Sequence, residues 1–61
     1  MNIQKEAYRV LEELEDGLLQ DYGIGNDYDD PVLFETTIQL LEEMLKIEKQ
    51  KLANIKWQGA V

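Results

Sequence analysis

Residues 20–35 read QDYGIGNDYDDPVLFE, and the reading of this run decides the fold. Two glycines, the chain's only proline and five acids (Asp21, Asp27, Asp29, Asp30 and Glu35) fall within it. Taken as punctuation, the run separates two helical patterns. Gly23 stands where a helix would stop, because glycine takes up the left-handed backbone conformation with little steric penalty. Asp30 before Pro31 reads as a helix start. The aspartate accepts a free backbone N–H, and proline at the first helical position lacks only a donor that would have no partner there. Gly25 and Asn26 are turn formers between these two signals. The connection is about seven or eight residues long, ordinary for two neighbouring helices.

Upstream, a first helix is expected over about residues 2–21, which are good helix formers apart from Gly17. At 100° per residue, Val10, Ile3, Leu14, Ala7, Leu18, Leu11, Tyr8 and Leu19 share one half of the helical wheel, with Glu6, Glu12, Glu13 and Asp16 mostly opposite. Downstream, a second helix is expected over about residues 31–57, followed by a short tail, 58–61. Phe34, Ile38, Leu41, Leu45, Leu52 and Ile55 form one apolar stripe on it. Leu33, Leu40, Met44 and Ile47 form another to one side. At 1.5 Å per residue the helices are about 30 and 40 Å long, so the second overhangs the start of the first. The fold expected is all-α: a single-domain, two-helix antiparallel hairpin with an acidic connection at residues 22–30.

Two helices packed only on each other cover one stripe apiece, and here each carries about twice that. Small chains bury a modest share of their surface, and a large contiguous apolar patch is seldom left in water. The simplest cover is a second copy, giving a homodimeric four-helix bundle with two-fold symmetry. On this reading Leu33, Leu40, Met44 and Ile47 are the candidate dimer interface. The alternative covers are another protein and further copies in a higher oligomer.

The composition narrows the function classes. The chain of 61 residues has no cysteine and no histidine, which removes disulfides, thiolate metal sites and the commonest general base. No apolar run approaches the roughly 20 residues of a membrane-spanning helix, and the expected setting is cytoplasmic. A net charge of −7 disfavours direct nucleic-acid binding. It leaves open a protein partner with a basic surface, cations, or imitation of nucleic acid. The charge is also segregated. All six bases, Lys5, Arg9, Lys46, Lys49, Lys51 and Lys56, lie towards the ends of the chain, whereas residues 10–45 hold 11 of the 13 acids and no base. A hairpin turns this into a rod with a basic open end and an acidic bend. Glu15, Asp16 and Asp21 near the end of the first helix oppose its dipole, so helix stability does not explain them. A solvated acidic face is the plainer account, and an antiparallel dimer setting basic end against acidic bend is another.

Specific chemistry finds little support. A calcium loop needs oxygen ligands at positions 1, 3 and 5 with glycine at 6 and glutamate at 12, and neither Asp27 nor Asp21 starts such a register. An irregular cation site from Asp27, Asp29 and Glu35 remains open at this point. A magnesium-dependent hydrolase would pair Glu12 or Glu13 with Asp16 against Glu42 and Glu43, but adjacent residues point about 100° apart and cannot both face inward. No catalytic residue, cofactor or metal is assigned. Glu48 falls on the main apolar stripe, where a carboxylate must be paired or reach water. An ion pair with Lys5 or Arg9 across the hairpin is expected, with a solvent-facing position as the alternative. Trp57 either caps the end of the core or anchors a partner.

The outline resembles that of small bacterial helical hairpins that dephosphorylate response regulators. Their Ser-Gln-Glu-Leu-Asp signature has no counterpart here, and no family is assigned. The expected function is a small non-enzymatic protein-interaction or regulatory factor acting as a dimeric bundle. Asp27, Asp29, Asp30, Glu35 and Trp57 are its candidate partner-binding residues. The alternatives are an acidic inhibitor imitating nucleic acid before a basic protein and, more remotely, a carboxylate metal hydrolase.

Overall fold

A computed structural model describes the backbone of residues 1–59 and the side chains of residues 1–56. Asn2 opens the first helix, its side-chain Oδ1 accepting the Lys5 N–H at 3.1 Å. This supplies one of the acceptors that the first turn's free donors need. Helix α1 then runs Ile3–Tyr22 and ends at Gly23, whose φ of 66° and ψ of 29° are left-handed. The N–H groups of Gly23 and Ile24 both turn back to the Leu18 carbonyl. Helix α2 runs Pro31–Gly59. These are the only two elements among the described residues, and they pack on each other. The chain is an all-helical hairpin.

The length difference shapes the molecule. Helix α1 has 20 residues and α2 has 29, so α2 reaches about 13 Å past its neighbour. The molecule is accordingly a rod, 50 × 24 × 17 Å. The hairpin core sits at the bend. Among the described residues, Leu18 of α1 and Leu33 of α2 are the buried apolar side chains, at 8% and 0% exposure. Thr37, one turn beyond Leu33, is also buried, and its hydroxyl donates to the Leu33 carbonyl at 2.8 Å, so this buried hydroxyl is paired. Leu11, Leu14, Leu40 and Leu41 are half-buried further along. From Glu42 to Lys56 every residue of α2 is exposed.

That distribution reassigns two of the residues expected at a dimer interface. Leu33 is wholly enclosed and Leu40 half-buried, both within the chain itself. Met44 and Ile47 stay exposed. Of the stripe expected to serve the hairpin, only Leu41 is half-buried, while Phe34, Ile38, Leu45, Leu52 and Ile55 are exposed. The wheel shows two stripes without saying which faces α1, and the bend chooses. The connection folds over Leu33, so that a Cβ at Gly25 would lie only 3.2 Å from the Leu33 Cβ. This turns Phe34 about 100° and Ile38 about 140° round the helix, away from the contact.

Candidate functional site: the acidic bend and the open apolar face

Much of the acidity at the bend holds the bend together. The Asp30 carboxylate accepts two backbone N–H groups, Val32 at 2.9 Å through Oδ1 and Asn26 at 2.8 Å through Oδ2. The first caps α2 behind Pro31, and the second ties the preceding turn to the same side chain. These bonds, that from Val32 foremost and then that from Asn26, hold the Asp30 carboxyl below its ordinary value, with a small opposing effect of burial. Asp27 accepts the Asp29 N–H at 2.8 Å in a local turn, and its own carbonyl receives the Asp30 N–H at 3.3 Å. Gly25 needs its φ of 82° to make this path.

A second tether crosses from the connection to α1. The Tyr28 hydroxyl donates to Asp16 Oδ1, and Gln20 Nε2 donates to the Tyr28 oxygen at 3.3 Å. Asp16, unfavourable against the helix dipole, thus has a local use. Its sequence signal is faint: one tyrosine in the connection and one acid twelve residues earlier. Tyr28, Asp16, Glu12, Glu15 and Phe34 together surround an open acidic hollow beside the bend.

Of the expected partner-binding residues, Asp27 and Asp30 are therefore engaged within the fold, while Asp29 and Glu35 are exposed side chains on its surface. The Trp57 side chain lies outside the described residues. No group of three or more carboxylates that could hold a metal ion is found among the described residues, and Asp27, Asp29 and Glu35 do not form one. The ion pair expected between Glu48 and α1 is not made. Glu48 Oε1 meets Lys51 Nζ of its own helix at 2.8 Å, and Arg9 is shared between Glu6 and Glu13, each at 2.9 Å. Glu48 lies in the stretch of α2 that is exposed throughout, and a lysine at i+3 on the same helix supplies its partner.

The open apolar surface is the larger feature. A groove between the helices is lined by Ile3, Ala7, Val10, Leu14, Leu41 and Met44. Beside it run Phe34, Ile38, Leu45, Leu52 and Ile55, which are 42–66% exposed. The chain as a whole exposes 5386 Å². A folded monomer of this mass exposes about 4100 Å² on the usual scaling of surface with mass. The excess of about 1300 Å² is larger than the roughly 800 Å² each partner contributes to a standard protein interface. No helix among the described residues is long and apolar enough to cross a membrane, so this surface is not that of a spanning segment. No protein-family model, curated protein or solved structure matches the chain.

Proposed function

We propose that the chain is a small non-enzymatic protein-interaction or regulatory factor that works as a homodimeric four-helix bundle. The observation that carries this reading is the excess exposed surface on a 7.1 kDa chain, together with the leucine, isoleucine, valine, phenylalanine and methionine side chains left exposed at helical spacing. Two copies of this chain would expose about 6800 Å² at ordinary compactness. Association therefore removes about 2000 Å² from each, within the range of obligate homodimers. The acids left free at the bend, Asp21 and Asp29, then offer a negatively charged end to a basic partner surface.

Light scattering behind a sizing column tests the dimer. A mass twice 7.1 kDa, stable on dilution, is expected. A mass of 7.1 kDa at all concentrations would overturn the reading and leave the apolar face to a different protein.

A further inference from the structure

We infer that a second copy covers the open stripe of α2 with its own α2, the two helices running antiparallel about Leu45. This rests on the dimer proposed above and adds to it the orientation and the paired residues.

The first observation is the spacing. Phe34, Ile38, Leu41, Leu45, Glu48, Leu52 and Ile55 alternate four and three residues apart, the narrow seam of helices that pack side by side. Five of the seven are exposed hydrophobics, and Leu41 borders the groove against α1. The seam is also symmetric. Ile38 and Leu52 each lie seven residues from Leu45, and Phe34 and Ile55 lie almost equally far out. Running two such helices in opposite directions brings Leu45 to its own copy, Ile38 to the partner's Leu52 and Phe34 to the partner's Ile55. Leu41 meets the partner's Glu48, whose charge is already balanced by a lysine on its own helix.

The second observation is independent of the first and concerns charge. One flank of the seam carries Glu35, Glu42, Lys49 and Lys56, seven residues apart. Among the described residues none of these four makes an ion pair within the chain. In an antiparallel pair this flank faces its own copy, so Glu35 meets the partner's Lys56 and Glu42 meets the partner's Lys49, each twice by symmetry. In a parallel pair the flank faces the other edge of the seam, Thr37, Met44 and Lys51. That arrangement yields no opposite-charge pair and sets Lys51 against the partner's Lys56. It also brings the two acidic bends together. Such flanking charges select orientation because like charges in register are unfavourable. Phe34 also borders the hollow containing Glu12, Glu15 and Asp16, so the part of the seam that receives the partner's Lys56 is lined with acids.

The chain has no cysteine, which makes single-cysteine cross-linking a clean test. Ile38→Cys and Leu52→Cys are made separately, mixed, and oxidised after the mass of each has been measured. Antiparallel pairing gives a mixed disulfide and none from Ile38→Cys alone, since the two copies of residue 38 would stand about 20 Å apart. A disulfide needs Cα atoms within about 7 Å. A dimer in which Ile38→Cys links to itself, or in which neither link forms, overturns this inference and leaves the dimer standing. A monomeric mass overturns both. Charge exchange supplies a second reading in the uncrosslinked protein. Glu42→Lys raises the dissociation constant at least several-fold, and adding Lys49→Glu restores it. Failure of the double variant to recover refutes the pairing of the two residues.

Discussion

Replacing Gly25 by alanine tests the account of the bend most directly, with Gly23 as an internal control. Both glycines have positive φ, 82° and 66°, so an alanine at either carries the strain of the left-handed region, about 1–2 kcal/mol. At both sites alanine also removes freedom from the unfolded chain, which returns about 0.4–1 kcal/mol. The two positions differ in space. Nothing lies within 4 Å of a Cβ at Gly23, whereas one at Gly25 would stand 3.2 Å from the Leu33 Cβ and 3.3 Å from the Asp30 Cβ. Neither neighbour yields easily: Leu33 is fully buried, and the Asp30 carboxylate is held by two backbone donors. Overpacking of this kind costs about 1–3 kcal/mol. Gly23→Ala is therefore expected to destabilise by at most about 1.6 kcal/mol. Gly25→Ala is expected to destabilise by about 1–3 kcal/mol more than that variant. Urea unfolding followed by far-ultraviolet circular dichroism, at one chain concentration for all variants, measures both. If Gly25→Ala proves no worse than Gly23→Ala, the connection does not close over Leu33 as described.

Two further outcomes follow from the same core and cap. Leu33→Ala empties the one fully enclosed side chain among the described residues and is expected to lower stability by about 2–5 kcal/mol; a loss under about 1 kcal/mol in urea would place Leu33 outside the core. Asp30→Asn keeps an oxygen for the cap and removes the charge. A carboxyl held below its ordinary value of 3.8 contributes stability that is fully present above that pH and disappears as pH falls through its lower folded value. The stability advantage of the parent over Asp30→Asn is therefore constant at neutral pH and shrinks below 3.8; an advantage that stays constant on acidification would show that the charge is not what the two N–H groups stabilise.

Local chemistry made the architecture legible. Glycine at position 23, the Asp30–Pro31 pair and two amphipathic patterns each have a physical meaning within a few residues, and the hairpin follows from them. Local rules did not extend to relations between helices. The Tyr28–Asp16 tether joins a turn to a helix face and has no marker in either segment. Glu48 was expected to seek α1 because its wheel position is apolar, but the wheel of one helix shows nothing of its distance from the other, and a lysine one turn away was available.

Sequence alone determined that this is an all-helical hairpin with an acidic bend, a basic far end and more apolar surface than two helices can cover, because caps, breakers and periodicity are properties of neighbouring residues. Only the tertiary structure decided which apolar residues the hairpin consumes. Both stripes on α2 offer apolar side chains, and the division between contact and water depends on how the connection sits over Leu33. It encloses Leu33 and leaves Phe34, Ile38, Leu45, Leu52 and Ile55, with Met44 and Ile47, facing water.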